Sequence, residues 1–242
     1  MQVDAPAATA IPWLLLRATS ASGTGVWGSV SYVQRLNTTG GKAPATGCDA
    51  TTVNGEVRVD YTADYYFYEG GAGAAWLSPP ADVPAAIAVP AGAAVKIHDH
   101  AVGFQIYTCT ATGGVDAGTT GYAWVFKAPD AILYDATFAQ GGSHGAGPSW
   151  TASDGSAVNG TKLQQADAPM ADAIPWLLLK ATPTTGAGEL SDIAYVQRLD
   201  TTGGKAPPDG CDATTVASEV RVGYAADYYF FTVAVTDGGT GG

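Results

Sequence analysis

The sequence predicts an all-β protein, a β-sandwich or barrel-like domain accompanied by a duplicated half-domain. Three observations carry that expectation. Glycine and proline supply 32 and 14 of the 242 residues, well above the roughly 12% they make up together in ordinary domains. Hydrophobic residues make up 46% of the chain and charged residues only 14%. A core can therefore form, but the Glu, Lys and Arg of long helices are scarce. Finally, short apolar or alternating runs are separated by turn dipeptides, the pattern of a sandwich or barrel.

Taken in order, residues 11–18 and 30–36 read as strands, the first built around Trp13-Leu14-Leu15-Leu16. Residues 56–61 alternate Val57, Val59 and Tyr61 with polar neighbours, as a half-buried strand does, and the hairpin dipeptide Asn54-Gly55 precedes them. Helix is confined to a turn within residues 80–87. Further strands are expected at 95–97, 104–109, 122–126 and 132–134, with turn dipeptides at Asp154-Gly155 and Asn159-Gly160.

An internal repeat organises the chain. Ala10-Ile11-Pro12-Trp13-Leu14-Leu15-Leu16 returns as Ala173-Ile174-Pro175-Trp176-Leu177-Leu178-Leu179, and Gly47-Cys48-Asp49-Ala50-Thr51-Thr52-Val53 returns from Gly210 to Val216. Every pair sits 163 positions apart, Ile11 with Ile174 and Cys48 with Cys211. Residues 2–68 align with 165–231 without a gap at about two-thirds identity, whereas residues 76–164 have no second copy. The expected organisation is an extra half-copy at 1–69, a Gly/Ala linker at 70–75, a complete domain at 76–235 and a flexible tail at 236–242.

Charge and cysteine content narrow the function classes. A net charge of −11 argues against a nucleic-acid partner, and no apolar run is long enough to span a membrane. Low charge, abundant Thr, Gly and Ala, and glycosylation-type triplets at Asn37 and Asn159 suit an extracellular or cell-surface protein. The segment from Met1 to Pro6 carries no signal-peptide pattern, so that placement expects a signal to have been removed.

A family resemblance enters through a series of motifs. These are Val83-Pro84-Ala85-Ala86-Ile87, Gln105-Ile106-Tyr107-Thr108-Cys109, Trp124-Val125-Phe126-Lys127-Ala128-Pro129, Ser143-His144-Gly145-Ala146-Gly147-Pro148-Ser149-Trp150, Ile174-Pro175-Trp176 and Thr202-Gly203-Gly204-Lys205-Ala206-Pro207. Together they resemble the secreted domain of unknown function 3455 family, over residues 76–231 in the family's normal order. The resemblance implies no activity. Some members carry a malate dehydrogenase label, but this chain has no strand–GxGxxG–helix unit to support one. Residues 2–68 then look like a second copy of the family's C-terminal half, placed in front. One unique segment cannot complete two halves, so one half-copy is surplus.

Candidate chemistry is sparse. Gly141-Gly142-Ser143-His144-Gly145 fits G-x-S-x-G, but Pro148 and the glycines after it start no helix, so no nucleophile elbow is expected. His98 and His100 would share one strand face, and with His144 could hold a metal; structural, hydrogen-bonded roles are the preferred reading, with no cofactor. His100, Gln105, Tyr107, Trp124, His144 and Trp150 are the candidate ligand-binding residues. Arg35, Thr39, Gly41 and Lys42, with Arg198, Thr202, Gly204 and Lys205, form a loop kept in both copies. It reads as a turn whose glycines supply positive φ and whose arginine pairs a carboxylate, in preference to an anion or sugar site. Cys109 can pair with Cys211 or with Cys48; the resemblance implies Cys109–Cys211, leaving Cys48 over.

The function expected is a non-enzymatic, self-associating structural β-protein, a surface, matrix or filament subunit that packs through its duplicated half. The alternative is a carbohydrate-binding or carbohydrate-active domain with its site around His100 and His144 and surface polysaccharide as partner.

Overall fold

The computed structural model describes residues 2–5, 7–18, 25–69, 77–112, 121–137, 139–184 and 187–233. The expected linker at 70–75 and tail at 236–242 lie outside them. The chain divides into two compact units, Met1–Gly70 and Gly71–Gly242. All regular structure among the described residues is β, apart from one 3₁₀ turn at Ala85–Ile87, inside the window where the sequence allowed a helical turn.

The second unit is a closed antiparallel barrel. Its strands are β5 (Ala93–Thr112), β6 (Gly121–Tyr134), β7 (Gln140–Gly145), β8 (Ser149–Ala152), β9 (Ala157–Ala166), β10 (Trp176–Pro183), β11 (Tyr195–Gly203) and β12 (Glu219–Val233). The order around the barrel is β10-β11-β12-β5-β6-β7-β8-β9, and β9 pairs with β10 to close it. The sequence left sandwich and barrel open; closure decides for the barrel and removes every free edge. Its interior is filled by Ala101, Leu133, Trp150, Val158, Leu179, Val196, Tyr224, Tyr228 and Phe230.

The Trp176-Leu177-Leu178-Leu179 run is apolar at every position because both faces of β10 are covered. Leu177 and Leu179 face the interior, while Trp176 and Leu178 join an outer cluster with Leu199, Tyr229 and Phe231. Ile87 caps that cluster, with Val83 and Val89 packed beside it, and its carbonyl accepts a 2.8 Å hydrogen bond from Gln197 Nε2.

The first unit is a sheet of β1 (Gln2–Val3), β2 (Trp13–Arg17), β3 (Val30–Gly40) and β4 (Tyr61–Glu69), in that order. Its local structure repeats that of β10–β12 position by position. Leu14 pairs with Arg35 as Leu177 pairs with Arg198, and the register shift at Leu36/Thr39 returns at Leu199/Thr202. Ala10 bridges Gly41 as Ala173 bridges Gly204.

Three sequence expectations need correction. Residues 55–60 belong to no strand, and β4 begins only at Tyr61. Their counterparts Glu219, Val220, Arg221 and Val222 are stranded because Thr108 to Gln105 of β5 pairs with them. A strand propensity without a partner strand yields no strand. Asn159-Gly160 is not a turn but lies inside β9, paired with Thr182 and Ala181. The segments 95–97 and 104–109 are parts of one strand, β5, long enough to pair along its length with both β12 and β6.

Candidate functional site

Barrel residues line a cavity of about 110 Å³ that opens to solvent beside Phe126 and Lys127. Most of its wall is apolar: Leu177 and Leu179 from β10, and Phe126 and Pro129 from β6. Its polar groups come from separate strands, Gln105 on β5, His144 on β7, Trp150 on β8, Arg198 on β11 and Tyr228 on β12. Phe126 and Lys127 line it as well and are exposed to solvent.

His144 is fixed on three sides. Its Nδ1 lies 2.8 Å from the Ser149 carbonyl oxygen, which can only accept, so Nδ1 carries the proton and Nε2 the lone pair. Its ring stacks on Trp150 with centroids 4.5 Å apart and meets Tyr228 edge-on at 5.1 Å. Burial pushes its pKa down to about 3, with the nearby Arg198 charge adding to the effect, so the imidazole is neutral at physiological pH. Burial likewise raises the Tyr228 phenol, against the opposing pull of Arg198.

Arg198 reaches this cavity from β11, within the segment kept in both copies. Its Nε and Nη2 donate to the Pro175 carbonyl at 3.1 and 2.7 Å, as Arg35 donates to Pro12 at 3.2 and 2.8 Å. The sequence expected a carboxylate partner for this arginine; a main-chain carbonyl takes that place. Among the described residues no carboxylate forms an ion pair with Arg198. The rest of the loop is a clamp. Thr38 and Thr201 donate to the Ile11 and Ile174 carbonyls, and Lys42 and Lys205 donate to those of Ala8 and Ala171. Thr39 Oγ1 bonds Thr62 Oγ1 at 2.6 Å, while Thr202 is buried. Gly41 and Gly204 both take φ above +80°. With each ammonium turned onto a main-chain oxygen, the loop is engaged internally.

Gln105, His144 and Trp150 of the candidate residues therefore meet at one cavity. Tyr107 and Trp124 go elsewhere: their OH and Nε1 donate to the Gly204 and Asp209 carbonyls at 2.6 and 2.9 Å. They clasp the loop that carries Cys211, which is bonded to Cys109. Cys48 is a free, exposed thiol.

His100 lies on the other face of the barrel wall. Its Nδ1 is 2.7 Å from Asp227 Oδ1, with His98 Nε2 3.5 Å from the same oxygen and the His98 ring stacked on Tyr229. Burial would raise the Asp227 carboxyl, but His100 and then His98 outweigh it and hold it well below the usual carboxylate range. Asp227 and Tyr228 are consecutive on β12, so their side chains point to opposite faces. His100 with Asp227, and His144 with Tyr228, are separated by the wall itself. The structure therefore brings His100 and His144 to no common cleft, and the three histidines do not converge on one point. Gly141 to Gly145 forms strand β7, with Ser143 paired to Ile132 and Thr151, so G-x-S-x-G makes no elbow.

Sequence reading missed Tyr228, Phe126, Leu177 and Leu179 at the cavity, because apolar residues on a doubly covered strand carry no mark of which face they line.

The family model described as "Protein of unknown function (DUF3455)" matches residues 1–69 and 90–232. The chain belongs to this family. Both copies of the repeated segment, and every cavity-lining residue, fall inside the matched stretches of this DUF3455 chain. No curated protein and no solved structure matches it.

Proposed function

We propose that this DUF3455 chain is a secreted, non-enzymatic structural β-protein that associates with copies of itself through the sheet of residues 2–69. One contrast supports the reading. Leu16, Tyr65 and Phe67 are 47%, 42% and 45% exposed, while their barrel counterparts Leu179, Tyr228 and Phe230 are 2%, 1% and 0% exposed. The same side chains, in the same register, fill a core in one copy and face solvent in the other. Val57 and Val59 extend the exposed set.

Leu16 and Phe67 flank Val33 in register on a sheet that ends in the edge strand β4, and exposed apolar side chains beside an open edge support an association surface there. Covering roughly 400 Å² of it contributes on the order of 10 kcal/mol at about 25 cal/mol per Å². The strands that would complement the face, β5 to β9, already close on β10–β12, so a second copy offering the same face is the partner the chain supplies. Self-complementary pairing gives a closed dimer and heterologous pairing a fibre. The Cys109–Cys211 bond supports an oxidising, extracellular setting.

Light scattering on the full chain tests this. The expected result is a species larger than the 24.5 kDa monomer. Leu16→Glu with Phe67→Glu, both at exposed positions, should return it to monomer. A wild-type chain that stays monomeric at high micromolar concentration would overturn the reading.

A further inference from the structure

We infer that the barrel cavity is a binding site for a small monocarboxylate with a ring-sized or branched-alkyl apolar body. The inference stands apart from self-association, since the cavity belongs to the barrel alone.

Two residues of the lining carry donors that have no partner among the described residues. Gln105 and Trp150 are 2% and 1% exposed, and neither Gln105 Nε2 nor Trp150 Nε1 has a hydrogen-bond partner among those residues. A buried N–H without an acceptor is costly enough that native cores rarely keep one. Two side-chain acceptors of the lining, His144 Nε2 and the Tyr228 hydroxyl, bond neither group, so the pair calls for an acceptor from outside the fold. The indole N–H can only donate, and so can an amide NH₂.

The charge at the site selects among acceptors. Arg198 lines the same cavity with no carboxylate paired to it among the described residues, and its guanidinium has donors left after the Pro175 carbonyl is satisfied. Lys127, also in the lining, is paired with Glu219. His144 is neutral and adds no competing charge. A carboxylate is thus the acceptor that answers both the unpartnered N–H groups and the unpaired cation. Leu177, Leu179 and Phe126 leave the remaining wall apolar, which asks for a hydrocarbon body. A volume of about 110 Å³ sets its size; an apolar cavity of about 150 Å³ takes benzene, so a single ring or a branched chain of a few carbons fits and a sugar residue with its hydroxyls does not.

The test uses the full chain, ¹⁵N-labelled, with benzoate and isovalerate as probes and toluene and benzylamine as controls. The Trp150 indole N–H resonance, assigned by its loss in Trp150→Phe, reads the site directly. Benzoate or isovalerate should shift it saturably at millimolar concentration, while toluene and benzylamine bind at least tenfold more weakly. Gln105→Met, which keeps the volume and removes the amide, should weaken carboxylate binding about tenfold, the size of one lost hydrogen bond to a charged group. Arg198→Met should remove the preference for carboxylate over toluene; because Arg198 also holds Pro175, the Gln105 variant carries the test if that one fails to fold. An indole resonance indifferent to both carboxylates would overturn the inference. So would toluene or benzylamine binding as tightly as benzoate, since the cavity would then be an apolar hole without acceptor selection.

Discussion

At the scale of single residues, the barrel places opposite titration demands on two side chains. His144 is held neutral, with its pKa pushed from 6.5 to about 3. Between those values the unfolded chain binds a proton that the folded chain refuses, so His144 costs stability as the pH falls through that window. Asp99 faces the barrel interior opposite Tyr228, and burial raises it from 3.8 to about 7. Glu189 and Asp135 add to the rise and His98 opposes it. Here the folded state holds the proton, so the stability that Asp99 contributes is full below about 3.8 and is lost as the pH climbs through about 7. Asp99→Asn should therefore raise the melting temperature at pH 8 and leave it nearly unchanged at pH 4. Every tenfold difference in proton affinity between the folded and unfolded chain is worth about 1.4 kcal/mol, enough for a gain of several degrees in a thermal melt; equal effects at both pH values would show that Asp99 acts by packing instead. Residue types at the candidate site were legible in the sequence, and their directions were not. Gln105, His144 and Trp150 share the cavity, whereas His100, equally prominent in the sequence, looks the other way from the same wall.

At the scale of elements, the sequence marked several strands rich in branched side chains and passed over the glycine-rich ones, and it also missed most of the aromatic-rich β4. Strands β7 and β9 contain Gly141, Gly142, Gly145 and Gly160, which weaken a strand signal and read as loops or turns. The barrel needs at least one of these glycines for space. A Cβ at Gly160 would sit 2.8 Å from the Trp150 ring and 3.0 Å from Leu179 Cδ2. Trp150 packs over bare backbone there, and Asn159-Gly160 is a packing device inside β9 in spite of its turn-like composition. Gly160→Ala should cost about 1–3 kcal/mol through overpacking, read from urea unfolding by Trp fluorescence. Gly155→Ala, at a turn with open space around it, should cost about 1 kcal/mol through its positive φ of 85° alone. The stretch 55–60 makes the complementary point. Glu56-Val57-Arg58-Val59 and Glu219-Val220-Arg221-Val222 are the same four residues in the same order, and only the second set pairs with β5.

At the scale of the molecule, that asymmetry is a matter of stoichiometry. There are two copies of the β10–β12 sequence and one β5 to β9 segment to receive them, so identical local sequence must end in two different environments. Cysteine reports the outcome most directly. Cys48 and Cys211 sit in identical Gly-Cys-Asp-Ala-Thr-Thr-Val contexts, yet Cys211 is bonded to Cys109 and Cys48 is a free thiol. The bond joins residues 102 apart in sequence and ties the β11–β12 loop to β5. Closing a loop of that size removes about 4.7 kcal/mol of unfolded-state freedom in the chain-entropy account. Cys211→Ser should therefore lower barrel stability by about 2–5 kcal/mol, whereas Cys48→Ser, at an exposed thiol, should change it by no more than about 0.5 kcal/mol. Guanidinium unfolding of both variants without reductant, followed by peptide mapping, separates the possibilities. If Cys48→Ser proved the costly substitution and mapping found Cys48–Cys109, residues 2–69 would be the copy that closes the barrel. The exposed apolar face would then belong to residues 165–231, and the association surface with it.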